Sequence, residues 1–93
     1  MGFNDLRFVA KEHGLGGSQA IVFFPNGYGV SIITGYGAYG GDKGLYEIAV
    51  LKGTEGKSSL CYDTPITDDV IGHLSPNDVT DYLKKIESLP EAP

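Results

Sequence analysis

Residues 19–34, QAIVFFPNGYGVSIIT, decide the fold of this chain. Two runs rich in β-branched and aromatic residues flank the dipeptide Asn26-Gly27, and the first run stops at Pro25. Such runs favour β-strands, in which proline is confined to ends and edges. Asn-Gly is the strongest short hairpin signal, because a type I′ turn needs positive φ at both central residues. The stretch therefore predicts a β-hairpin with Asn26-Gly27 in its tight turn.

Further strands are predicted on both sides of this hairpin. The segments concerned are LRFVA (6–10), LYEIAVLK (45–52) and SLCYD (59–63). In the second segment, Tyr46 and Val50 share one face of an alternating pattern. The first also fits a short helix, in which Phe3, Leu6 and Val9 share a face. Because the connections are too short for parallel crossovers, the sequence predicts four or five strands within 6–63, arranged as an antiparallel meander.

The C-terminal part changes to helical periodicity. Ser75 suits an N-cap, Pro76 suits the first helical position, and Asp78 completes a capping box near the positive end of the helix dipole. The apolar stripe that follows consists of Val79, Leu83 and Ile86. A helix over 76–89, ending before Pro90, is therefore predicted. Residues 66–73 are predicted to form a short turn or a helical turn.

Together these elements predict one α+β domain over residues 1–93, a small antiparallel meander with one C-terminal helix packed on a face. A chain of 93 residues buries roughly 60–65% of the surface that its unfolded form exposes, which leaves room for one core but not for a deep catalytic cleft as well. Chain length therefore favours a binding protein over an enzyme.

Charge and cysteine content narrow the function classes. The formal net charge is −5, and acidic residues dominate the last third of the chain. Because nucleic-acid binding relies on Lys and Arg, this charge predicts no direct nucleic-acid binding. The acidic charge suits a partner protein with a basic surface, and the alternative is that it only keeps a small protein soluble.

The single cysteine, Cys61, cannot form an internal disulfide. No stretch has the apolar length of a signal peptide or membrane span, which predicts a cytoplasmic protein with no membrane binding.

Residues 35–40, GYGAYG, match the dinucleotide pattern G-x-G-x-x-G. That pattern needs a helix after it, whereas a strand is predicted here, and a P-loop would need lysine where the chain has Gly41. A small-ligand or nucleotide site that combines this segment with Lys43 or Lys52 is therefore the least favoured hypothesis. The preferred interpretation is a bend between two strands.

Tyr36 and Tyr39 are the most informative residues of this bend. Tyrosines on a mobile loop bind partners well because they present a large area with few rotatable bonds. The alternative is that both rings fold back and cap the core. The partner-binding site that we predict comprises Tyr36, Tyr39, Asp42, Asp68 and Asp69.

No catalytic residue, metal ligand or cofactor is predicted. Asp68 and Asp69 are adjacent, so they do not oppose each other as a catalytic carboxylate pair does. His13 and His73 have no Cys or His at the spacing of a zinc site. A trio of Ser18, His73 and Asp63 could be assembled, but a chain of this size offers such sets by chance.

The segments FPNGYGVSIITG, GLYEIAVLKG and LCYDTPITDDVIGHL resemble small accessory proteins encoded by tailed phages and prophages. That group has no established activity to transfer. The resemblance implies a protein that acts in the cytosol of a bacterial host, and small acidic phage proteins often inhibit host enzymes or defence systems.

Two main hypotheses follow. The leading one is a non-enzymatic acidic binding protein, encoded by a phage, that inhibits or modulates a host or bacterial-defence protein by covering its surface. The alternative is a structural or assembly protein that forms a homodimer or larger homo-oligomer through an exposed strand edge.

Overall fold

The structure, a computed structural model, describes residues 1–10, 17–35, 43–62, 64–66 and 70–93. Its elements are a 3-10 turn (Phe3–Asp5), strands β1 (Val9–Ala10), β2 (Ser18–Phe23), β3 (Tyr28–Thr34), β4 (Tyr46–Thr54), β5 (Lys57–Leu60) and β6 (Ile71–Leu74), and helix α1 (Pro76–Glu87). All strand pairs are antiparallel, in the order β1-β2-β3-β4-β5, and β6 also pairs with β4. The predicted α+β class, an antiparallel meander with one C-terminal helix, is confirmed.

The hairpin between β2 and β3 forms where the sequence predicts it, but with a different turn. Gly27 has a φ of 87°, whereas Asn26 is not among the described residues with positive φ, so the turn is not type I′. The amide of Gly27 donates to the carbonyl of Phe24 (3.2 Å), and that of Phe24 donates to Tyr28 (2.8 Å). This is a type I turn followed by a left-handed glycine. Pro25 explains the choice, since its fixed φ suits the first central position of a type I turn.

The first predicted strand, 6–10, is reduced to β1. The backbone amide of Phe3 donates to the hydroxyl of Thr80 in α1 (2.9 Å), and its ring lies 5.0 Å from that of Tyr46. These contacts draw the residues before β1 onto the helix-covered side of the sheet. β1 consequently pairs with Ser18 and Gln19 and goes no further along β2.

Strands β5 and β6 occupy the same edge of β4. β5 pairs with the C-terminal half of β4, while β6 pairs with Tyr46 and Ile48 in the N-terminal half. Both run antiparallel to β4, and between them the amide of Cys61 donates to the carbonyl of Val50 (2.8 Å). β5 and β6 therefore cover successive parts of one edge of β4.

Strand β6 differs from the sequence prediction, which placed a last strand over 59–63 and a turn or helical turn over 66–73. The structure ends β5 at Leu60 and returns to the sheet at Ile71–Leu74. β6 contains one residue more than the facing part of β4, and His73 adopts a left-handed φ of 59° there. Residues Ile71–Leu74 thus pair with β4 through a bulge, whereas residues 67–69 of the predicted turn lie outside the described residues.

Helix α1 begins as predicted. The hydroxyl of Ser75 accepts a hydrogen bond from the amide of Asp78 (3.1 Å), whose carboxylate accepts one from the amide of Ser75 (3.0 Å). The predicted stripe of Val79, Leu83 and Ile86 is fully buried, which contributes about 1.5–3 kcal/mol for each side chain. These residues pack in one core with the inner face of the sheet, which we define by its central residues Ala20, Val30, Ile32, Ile48 and Val50.

The side chain of Asn26 joins the hairpin turn to the end of α1. Its Nδ2 group donates to three carbonyl oxygens, those of Ile86 (2.9 Å), Leu89 (3.1 Å) and Glu87 (3.2 Å). Its Oδ1 atom accepts from the amide of Tyr28 (3.1 Å). The last carbonyls of a helix have no partner within the helix. Asn26 therefore caps the C-terminal end of α1 from a distant turn.

Candidate functional site

The residues predicted to bind a partner, Tyr36, Tyr39, Asp42, Asp68 and Asp69, all lie outside the described residues. Whether the tyrosines contact a partner or cap the core stays a prediction. The structure describes only the base of the Gly-Tyr loop, as we name residues 35–44. There the hydroxyl of Thr34 donates to the carbonyl of Leu45 (2.9 Å), which ties the ends of β3 and β4 together.

The lysines considered for a nucleotide lie far apart along β4. Lys43 precedes the strand at the base of the Gly-Tyr loop, whereas Lys52 pairs with Tyr28 near the other end. A strand rises ~3.4 Å per residue, so the stretch from Tyr46 to Lys52 alone spans ~20 Å. Lys52 therefore lies at the opposite end of β4 from the base of this loop.

The clearest candidate surface is the outer face of the sheet, on the side opposite α1. The strand registers place on this face the apolar residues Val9, Ile21, Phe23, Ile33, Ala49, Leu51 and Leu60. The side-chain amide of Gln19 donates to the hydroxyl of Ser31 (2.9 Å) on the same face. In a sheet with one covered face, the other is usually polar. Here both faces are largely apolar.

Exposure differs across the outer face. Ile21 is 51% exposed and Leu60 54%, whereas Leu51, between them in the sheet, is 7% exposed. The ring of Phe23 lies over Gly29, since a Cβ atom on this glycine would be 2.6 Å from Cδ1 of the ring. The outer face therefore has a packed centre, with Ile21 and Leu60 presented to solvent on either side.

A cleft of about 430 Å³ opens at one end of this face. It is lined by Ile21, Phe23, Glu55, Gly56 and Ser58, and we call it the end cleft. The Gly-Tyr loop starts at the opposite end of the sheet. The volume is at the lower end of the ~300–1,000 Å³ of ligand pockets. More than half of Ile21 is exposed, so the cleft suits an anchoring side chain of a partner better than an enclosed ligand.

The side chains that line the end cleft suit recognition of a partner side chain. It offers the carboxylate of Glu55 and the hydroxyl of Ser58 beside two apolar side chains. In the parts of the chain that the structure describes, no three His, Cys, Asp or Glu side chains come together as metal ligands would. These groups can accept hydrogen bonds from a cationic side chain and bury an apolar one.

The outer face was not predicted from the sequence, although the sequence carries a signal for it. Residues 20–24 and 48–51 are uninterrupted apolar runs rather than alternating ones. Such runs are typical of strands with two apolar faces. In an antiparallel sheet with a single helix, they predict a second apolar surface that the helix cannot cover.

Comparison with known proteins identifies no family. The chain matches no protein-family model, and searches of curated proteins and of solved structures gave no match. Among the described residues, no helix has the length and apolar character needed to cross a membrane.

Proposed function

We propose that this protein is a non-enzymatic binding protein that covers a surface of another protein with its outer face. The half-exposed side chains of Ile21 and Leu60, on a face that α1 leaves uncovered, carry this proposal. Exposed apolar surface of this kind marks protein interaction sites. An anchoring side chain of the partner would enter the end cleft and pack against Phe23.

Charge suggests the kind of partner. The end cleft contributes the carboxylate of Glu55 to this face, and the chain carries a net charge of −5. Electrostatic complementarity accelerates association and selects partners. We therefore propose a partner surface with an apolar centre and a basic rim.

The resemblance to phage and prophage accessory proteins supplies the biological context of the proposal. In this context the partner is a host or bacterial-defence protein in the bacterial cytosol, and the protein inhibits or modulates it by occupying its surface. The acidic character of the chain and the half-exposed Ile21 and Leu60 on the outer face support this mode of action. The Gly-Tyr loop, through Tyr36, Tyr39 and Asp42, together with Asp68 and Asp69, would extend the contact.

The test is capture of a partner from bacterial lysate at physiological salt, with variants that change the outer face alone. Ile21→Ser and Leu60→Ser should each reduce capture strongly, because truncating an apolar anchor typically costs ~2 kcal/mol or more of binding. Asn77→Ser, at an exposed position of α1, leaves the charge unchanged; it is the control and should capture as the unmodified protein does. Capture that is insensitive to both outer-face changes would refute the proposal.

A further inference from the structure

The sheet leaves part of β2 unpaired. β1 pairs with Ser18 and Gln19, and no other described strand lies along the edge of β2 that faces away from β3. Pro25 follows two residues after the end of β2. The length without a described strand on that side is therefore residues 20–24, which we call the open edge; its two end residues, Ala20 and Phe24, are buried.

Backbone groups on the open edge alternate in direction, toward β3 and away from it. The amide of Phe24 donates to the carbonyl of Tyr28 in β3. Hydrogen-bonding directions alternate along an antiparallel strand, so Val22 also bonds to β3. The amides and carbonyls of Ile21 and Phe23 consequently face outward, available to another strand.

This edge lacks the features that normally protect sheet edges. Proteins guard free edges with charged residues, proline, bulges or very short strands. Residues 18–24 contain no charge and no proline, and their pairing with β3 has no irregularity. The opposite edge contrasts with it, because β5 has only four residues and begins with Lys57.

We infer that the open edge pairs with the open edge of a second copy of this chain, antiparallel and about a two-fold axis at Val22. β1 limits the free length on one side and Pro25 on the other, and Val22 lies at the centre of what remains. In this register Ile21 of each copy faces Phe23 of the other, and their backbone groups form four hydrogen bonds. The cross-strand contact between Ile21 and Phe23 is an aromatic–aliphatic pair, which favours pairing.

Pairing of this kind is weak and salt-dependent. An interface of two short strands buries less than the ~1,200 Å² at which stable interfaces begin, so we expect dissociation in the micromolar range or above. Each copy carries a net charge of −5, and the resulting repulsion is screened by salt. Added salt should therefore strengthen the dimer.

The inference shares Ile21 and Phe23 with the end cleft. A variant on the outer face away from the open edge therefore separates it from the proposed function, and a backbone variant tests the pairing. Ile21→Pro removes an amide that faces solvent in the monomer, a position at which an edge strand tolerates proline. Ile21→Ser removes the apolar side chain but keeps the amide. Ser58→Pro makes the same backbone change on the outward side of β5 and is the matched control. Because the side chain of Ile21 also contacts Phe23 of the other copy, Ile21→Ser should weaken both partner capture and dimerisation. Leu60→Ser changes the outer face on β5, away from the open edge, and should reduce partner capture while dimerisation stays unchanged.

Light scattering from micromolar to millimolar concentration is the first measurement. The mass of the unmodified protein and of Ser58→Pro should rise from 9.9 kDa toward twice that value, while Ile21→Pro stays at 9.9 kDa. A monomer at every concentration, equal dimerisation of Ile21→Pro, or an assembly larger than a dimer would overturn the inference.

Amide hydrogen exchange on the unmodified protein decides the matter even if Ile21→Pro does not fold. Exchange at Ile21 and Phe23 should slow as concentration rises, by about tenfold when about nine-tenths of the chains are paired. The amides of Ala20 and Val22 bond to β3 in both states and should be protected at all concentrations. Concentration-independent exchange at Ile21 and Phe23 would contradict the pairing.

Discussion

Replacing Asn26 by aspartate should uncap the C-terminal end of α1 while leaving the hairpin turn in place. The change replaces the donating Nδ2 group by a carboxylate oxygen. This oxygen faces the carbonyls of Ile86 and Leu89, which lie 2.9 and 3.1 Å from Nδ2 in the unmodified protein. The other oxygen can still accept from the amide of Tyr28. The substitution therefore isolates the cap from the turn.

The expected loss in the free energy of unfolding is about 2–4 kcal/mol. The two hydrogens of Nδ2 serve three carbonyls, so at most two full hydrogen bonds are lost, each worth about 1 kcal/mol net. A negative charge at the C-terminal end of a helix adds about 0.3–2 kcal/mol, depending on burial. At ~4–8 °C per kcal/mol for a small domain, the Tm should fall by at least about 8 °C.

The loss should also depend on pH. Carbonyl oxygens around the new carboxyl group disfavour its charged form, so its pKa in the folded state is raised above the unfolded value of about 3.9. A group with a raised folded pKa favours folding below the unfolded pKa and loses that contribution as pH rises through the folded pKa. The deficit relative to the unmodified protein should therefore be smaller at about pH 3 than at about pH 7.

Urea denaturation of both proteins at the two pH values measures this prediction. The matched control is Asn77→Asp, the same change at an exposed position in the first turn of α1. There the carboxylate lies near the positive end of the dipole and should add about 0.3–1 kcal/mol of stability. A loss below about 0.5 kcal/mol for Asn26→Asp, within the range of ordinary surface changes, would refute the cap.

Three further predictions concern stability and binding. His73→Gly should raise the free energy of unfolding by up to about 1 kcal/mol, because glycine adopts a left-handed φ without strain, whereas His73→Val should lower it; urea denaturation distinguishes the two. Gly29→Ala should lower the Tm by an amount equivalent to about 1–3 kcal/mol, since its Cβ atom would approach the ring of Phe23 and the carbonyl of Val22 to 2.6 Å. Replacing Tyr36 and Tyr39 together by alanine should leave the Tm nearly unchanged and weaken partner binding by ~2 kcal/mol. A stability loss of about 3–5 kcal/mol would instead show that a ring is buried.

The sequence by itself determines the elements whose signals are local. Residues 19–34 specify a hairpin because β-branched runs, Pro25 and a glycine act within a few residues of one another. Ser75 and Asp78 specify the start of α1 for the same reason, since the capping box closes within one turn. The buried stripe of α1 follows from its helical spacing. Even here the type of turn differs from the type I′ turn that Asn26-Gly27 favours, because the fixed φ of Pro25 selects a type I turn.

Tertiary structure decided the features in which residues distant in sequence meet. Asn26 caps α1 from 60 residues away, and no local pattern reveals an amide that serves another element's carbonyls. β6 forms because β4 offers an unpaired edge beyond β5. Pairing with this edge compensates for the left-handed conformation of His73. The outer face and the open edge depend on where α1 and β1 stop covering the sheet. Apolar runs can be read from sequence, but what covers them depends on the path of the whole chain.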